Sequence, residues 1–190
     1  MRLVEDDDER AGLARRLREQ AERDAAALVP RPGYPIFGLA SPALEPVTIP
    51  QYDVEDDTWL RIKLGYGDPS SGPYVTVTTS VTHVLQGELG VELGEAADLP
   101  EVRDGVLQRD DEVIDLGHEQ LPAGQAFVLR HRVSWAARLQ SQLETVRVTI
   151  AGRHVDPADV RLEEVKDLRP VIEARLLAIL SRLENPPSSS

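Results

Sequence analysis

Four histidines, His83, His118, His131 and His154, are the side chains of this chain best suited to acid-base or metal chemistry. His118 precedes Glu119, and a metal held by His118, Glu119 and His131 on adjacent strands is conceivable, but the paired histidines of a cupin-type site are absent. The simpler reading of His131 is a core histidine whose ring nitrogen meets a backbone partner. His154 falls in a turn and His83 near a strand end, where exposure is the default. Asp53, Glu55 and Asp57 alternate like calcium ligands, without the central glycine and distant glutamate of an EF-hand. No G-x-S-x-G elbow, G-x-x-x-x-G-K-[ST] phosphate loop or G-x-G-x-x-G dinucleotide turn occurs. The glycine-rich GYGDPSSG links two strands and precedes no helix, so it lacks the dipole that anion binding exploits. The absence of cysteine excludes disulfides, zinc-thiolate sites, iron-sulfur clusters and thiol nucleophiles. No catalytic residue, metal or cofactor is assigned on these grounds.

Charge points elsewhere. Acids number 33 against 21 basic residues, a net charge of -12 that a phosphate backbone repels, so nucleic acid is a poor partner. Between residues 95 and 119 nine acids face only Arg103 and Arg109, and Asp53, Glu55, Asp56 and Asp57 form a second cluster. Either is a solvated flank that keeps the protein soluble or a docking surface for a basic partner, with Asp110, Asp111 and Glu112 its densest point. The acidic start MRLVEDDDER is unlike a signal peptide, and the most apolar late segment, VIEARLLAIL, is too short and too charged to span a membrane. Cytoplasm is the expected compartment. Lysine occurs only at Lys63 and Lys166, an arginine-for-lysine bias that suggests a high-GC bacterial genome.

The elements that must position these side chains follow from periodicity. Residues 7–29 read as a helix with a narrow apolar face, and 168–184 as a second, with Val171, Ile172, Leu176, Ile179, Leu180 and Leu183 in a broad stripe. Six prolines in residues 30–50 preclude a helix or a central strand, so 30–57 is an extended connector, laid against the body through Tyr34, Ile36, Phe37 and Leu39 or reaching a neighbour. Between about 58 and 165 alternation of period two recurs: Leu60, Ile62, Leu64 and Tyr66 against Trp59, Arg61 and Lys63; the β-branched YVTVTTSV; candidates at 88–93 and 106–116; a long strand at 125–135; and 145–155. In that long strand Phe127, Leu129, His131, Val133 and Trp135 share one side. VDPADVRLEEV is either a helix capped by Asp156 or, preferably, a turn leading into a last strand. NPPSSS at 185–190 reads as a disordered tail.

The expected architecture is α+β: an antiparallel sheet or sandwich of five to seven strands, flanked by an N-terminal helix within residues 1–29 and by a C-terminal helix that belongs to a body spanning 58–184. Trp59 sits on the polar side of its strand, where an indole can anchor a partner or line a pocket, although burial beneath the N-terminal helix or the proline-rich segment explains it as well. The preferred functional expectation is a non-catalytic acidic protein-interaction module: an adaptor, an inhibitor of the immunity type or an assembly component. The alternative is a small-molecule binder or cofactor-independent enzyme, with His131 and Tyr66 lining a cavity between a curved sheet and the C-terminal helix. A structural subunit of a larger assembly, homo-oligomeric or not, is the third reading.

Overall fold

The computed structural model describes residues 2–40, 44–47, 51–55, 58–70, 72–82, 93, 96–97, 101–103, 106–108, 113–140 and 144–184. They fall into two units, residues 1–29 with 167–190 and residues 30–166.

The first unit is a pair of helices, α1 (Arg2–Ala27) and α2 (Arg169–Glu184), packed on each other. Asp167 starts α2: its Oδ1 accepts from the Arg169 backbone N–H at 3.0 Å and from Arg169 Nε at 3.2 Å, and the backbone bond, then the guanidinium, holds its carboxyl below the usual carboxylate range. Ile172 and Leu180 are buried on one stripe of α2, whereas Leu177 is 66% exposed. Among the described residues no helix is long and apolar enough to cross a membrane. The C-terminal helix belongs to this unit with α1, where the sequence placed it in the body with the sheet.

The second unit is built on strands: β1 (Ile36–Leu39), β2 (Gln51–Glu55), β3 (Thr58–Gly67), β4 (Tyr74–Val81), β5 (Glu101–Arg103), β6 (Val106–Gln108), β7 (Val113–Leu121), β8 (Gly124–His131), β9 (Ser134–Leu139), β10 (Val146–Arg153) and β11 (Leu162–Val165). Seven form one antiparallel sheet in the order β2-β3-β4-β10-β9-β8-β7; β1 pairs with β11 and β5 with β6. The stiff β-branched residues of β4 put it in the sheet interior, where a pleated surface suits them. A 3-10 turn at Pro157–Asp159, capped by Asp156 Oδ1 accepting from Ala158 N–H at 2.8 Å, leads into β11, as the turn-then-strand reading expected.

Two expectations are corrected. The connector is no connector at its two ends, because β1 and β2 are strands of this unit and the β region begins at Ile36. The long strand 125–135 is two strands, β8 and β9, joined at Arg132 and Val133. A turn of two residues pairs i with i+3, so the partner of Trp135 is Arg130, and Trp135 leaves the side that Phe127 and Leu129 share. The candidate at 88–93 lies outside the described residues except for Leu93, which is helical.

The register divides the sheet into two faces. One carries Ile62, Leu64 and Tyr66 of β3, Val75, Val77 and Val81 of β4, Val146, Val148 and Ile150 of β10, and Trp135 and Ala137 of β9, all buried. The β1-β11 ribbon lies over it: Phe37 N–H donates to Thr79 Oγ1 at 3.0 Å, and the Tyr66 hydroxyl sits beneath Gly38. The other face carries Arg61 and Lys63, Thr76, Thr78 and Ser80, Arg147, Thr149 and Arg153, and Arg138. Its apolar end, Tyr74, Leu129, Ala136 and Ala151, is covered by Leu93 and Ala97.

Candidate functional site

One end of the polar face concentrates the unusual side chains. Arg153, the last residue of β10, stands opposite Tyr74 of β4 and Ser134 of β9, and continuing the β8-β9 register by one residue sets His131 opposite Ser134. Tyr74, Arg153, Ser134 and His131 therefore form a row across four adjacent strands. Arg153 is wholly buried, at 0% exposure, and Ser134 nearly so. Arg153 Nη2 donates to the Asp68 carbonyl at 3.2 Å, while its Nε and Nη1 have no hydrogen-bond partner. Both ring nitrogens of His131 are likewise buried without one. Among the described residues six buried side-chain nitrogens are left in this state, and four belong to these two side chains. Buried polar groups normally find partners, so the concentration is a local anomaly.

A cleft of about 300 Å3 opens at this end of the sheet, walled by His131, Arg132, Ser134, Trp135, His154 and Asp156. Its walls are fixed from behind. The Trp135 ring lies across Gly152, where any Cβ would stand 2.6 Å from the indole, and Trp135 Nε1 donates to the Val155 carbonyl at 2.8 Å. His154 N–H donates to the Val133 carbonyl at 3.1 Å and holds a positive φ of 53°, a conformation disfavoured outside glycine. The cleft can therefore present the His131 imidazole and the exposed Arg132 guanidinium to a small polar group, beside the Asp156 carboxylate.

The sequence-expected residues are distributed differently. The histidine core reading fails at its key point, because neither ring nitrogen of His131 has the backbone partner expected of it. His118 lies 3.0 Å through Nδ1 from Gln140 Nε2 and edge-on to Phe127; Glu119, on the opposite face, binds Arg130 through two bonds of 2.9 and 2.6 Å. His131 pairs instead with Val113 at the far end of β7, so His118, Glu119 and His131 do not converge. Tyr66 and His131 lie on opposite faces and share no pocket. Tyr66 is 5% exposed, and burial pushes its phenol above the usual value, opposed by a hydrogen bond from the Leu39 backbone.

Trp59 is buried at 1% exposure rather than presented to a partner. The cause is a bulge: Asp53 pairs with Arg61 but Val54 with Trp59, which makes Leu60 an extra residue and turns Trp59 to the face of Ile62. Arg31, from the proline-rich segment, closes over it, 5.4 Å from the indole, with Nη2 donating to the Trp59 carbonyl at 3.2 Å. Asp53 and Glu55 belong to β2, the sheet's other edge. Asp56, Asp57, Asp110, Asp111 and Glu112 lie outside the described residues.

Two exposed apolar surfaces were not anticipated. β7 is an edge strand of nine residues on which Val113, Ile114 and Leu116 are 54, 62 and 50% exposed. In the helical unit a groove of about 610 Å3 runs between α1 and α2, lined by Arg18, Glu22, Val29, Ile172, Glu173 and Leu176 among others. The β7 signal was present in the sequence as VIDL, but alternation alone cannot say that a strand ends a sheet. Arg153 falls inside the expected strand 145–155, and its signal is an arginine on the same alternation parity as Thr149 and Ala151. No family model, curated protein or solved structure matches this chain.

Proposed function

We propose that this chain is a non-catalytic protein-interaction module whose partner adds an extended, basic segment to the outer edge of β7. The observation that carries the reading is that edge. Sheet edges are ordinarily blunted by charge, bulges, proline or brevity; β7 carries Asp115, Glu119 and a bulge at Ile114, yet it still leaves three large apolar side chains half exposed along nine residues. Such an edge suits strand addition, in which main-chain bonds supply affinity and alternate side chains supply selectivity. The chain's net charge of -12, and Asp110, Asp111 and Glu112 immediately before the strand, favour a partner rich in lysine and arginine. The cytoplasm remains the proposed compartment.

A synthetic extended peptide alternating Val or Ile with Lys or Arg tests this. Its binding should slow amide exchange along β7, weaken as salt rises, and be lost in the pair Ile114→Lys with Leu116→Lys. Charge reversal at Asp110, Asp111 and Glu112 should lower the association rate more than it raises the dissociation rate, because steering is screened over roughly 8 to 10 Å at physiological salt. Unchanged β7 exchange, or affinity indifferent to the paired lysines, would sink the proposal.

A further inference from the structure

The two helices of the first unit leave a groove open along their seam. Its α1 side is set by Ala21, Ala25, Ala26 and Val29 and its α2 side by Ile172 and Leu176, positions whose spacing puts them on one stripe of each helix. The alanines are too short to fill the space beside the α2 side chains, and a volume of about 610 Å3 is left between the helices. Val29, at the C-terminal end of the α1 stripe, and Leu177, one turn past Glu173, add exposed apolar surface along it. Among the described residues the unit holds no third element to cover this surface. A helix pair buries its apolar stripes fully only when further helices close over them, as in a bundle of four.

The charges of the groove select the partner. Arg18 and then Glu22 stand along α1, Arg169 and then Glu173 along α2, and all four are exposed. The groove is therefore neutral in a chain of net charge -12, and it repels a uniformly basic or acidic partner as much as it attracts one. On each helix the cation precedes the anion by four residues. A helix of a second copy laid antiparallel across it thus sets arginine against glutamate at both positions, whereas a parallel one sets like against like. Arg169 is bonded to Asp167 through Nε, one of the five donors of a guanidinium. We propose that the groove is the seam of a homodimer, in which two copies related by a two-fold axis pack their helix pairs into a four-helix bundle with antiparallel contacts between the copies. The alanine floor of each copy admits the other's helix at an interaxial distance of roughly 8 to 10 Å. This interface is independent of the β7 edge, and either proposal survives failure of the other.

Sedimentation equilibrium of the full chain should give twice the chain mass at high concentration and dissociation on dilution, with a melting temperature that rises with protein concentration. Ala26→Arg, at an exposed position in the groove, should keep its helical circular dichroism and sediment as a monomer. Charge reversal tests whether the partner is a second copy. Glu22→Lys with Glu173→Lys makes the groove's charges all positive, and Arg18→Glu with Arg169→Glu makes them all negative. Each double variant alone should be monomeric, and an equimolar mixture of the two should restore the dimer mass, because every contact between unlike copies then joins opposite charges. Ile114→Lys with Leu116→Lys should leave the dimer intact, which separates this interface from the β7 edge. A parent that sediments as a monomer at every concentration overturns the proposal, since the groove would then serve another occupant. So does a dimer that persists in Ala26→Arg or in either charge variant, and so does a mixture that stays monomeric. Should Ala26→Arg fail to fold, the charge variants, all at exposed positions, decide the question.

Discussion

Along β10, Val146, Val148 and Ile150 project to one side of the sheet while Arg147, Thr149 and Arg153 project to the other. The first set meets Val75, Val77, Val81 and Ala137 beneath the β1-β11 ribbon and needs nothing beyond close packing. The second set shares its face with Arg61, Lys63 and Arg138, so five of the chain's 21 basic residues stand on one side of one sheet. Covered strands can therefore divide their work: one face supplies stability, and the other holds groups whose burial costs free energy and so asks for a chemical reason.

The largest expected effect tests the packed face. Ile150 has no exposed surface, and Ile150→Ala should cost about 2 to 5 kcal/mol through lost burial and the cavity left behind. Thr149→Ala, its neighbour on the polar face, should cost about 1 kcal/mol, the worth of a hydrogen bond. Urea denaturation measures both. Equal losses would mean that the two faces contribute alike and the comparison is misdrawn.

The point where the faces are fastened together should show an intermediate effect. Gly152 belongs to β10, yet the Trp135 ring occupies the space its side chain would need, with three indole atoms within 2.7 Å of an added Cβ. Gly152→Ala should cost about 1 to 3 kcal/mol by overpacking. The near-ultraviolet dichroism of the indole should change with it. If stability and the tryptophan signal are both unaltered, Trp135 does not brace the cleft wall.

Period-two alternation made most of this fold legible: β3, β4, β8 and β10 were readable because each carries β-branched or apolar residues at every second position. The terminal helices were readable from their stripes. What alternation could not convey is parity beyond an irregularity. The β8-β9 turn uses Arg132 and Val133, with none of the glycine, asparagine, aspartate or proline that marks a hairpin, so the run through Trp135 looked continuous. The bulge at Leu60 is equally silent, and it decides whether Trp59 is displayed or buried. The Tyr74–Arg153–Ser134–His131 row draws on the β8-β9 hairpin and on β4 and β10, distant from it in sequence, and only their register brings it together.

The smallest effect concerns Lys63, on the polar face beside Arg61. Burial, and then the like charge of Arg61, lower its pKa from 10.5. Between the lowered value and 10.5 the unfolded chain binds more protons at this group than the folded one, so its contribution to stability rises with pH across that window. Below the window both states are charged, and the penalty is present in full at pH 7. Tyr66, on the packed face, acts in the opposite sense: its pKa is raised from 10.0, so the folded chain keeps a proton that the unfolded chain releases, and stability falls above that pH. Lys63→Met should therefore be more stable than the parent at pH 7, and the difference should shrink as pH approaches 10, while Tyr66, present in both proteins, bends both profiles alike. Melting temperatures of parent and variant across that range provide the check. Parallel profiles would mean that Lys63 is solvated in the folded state, and that the polar face costs the fold less than its buried charges imply.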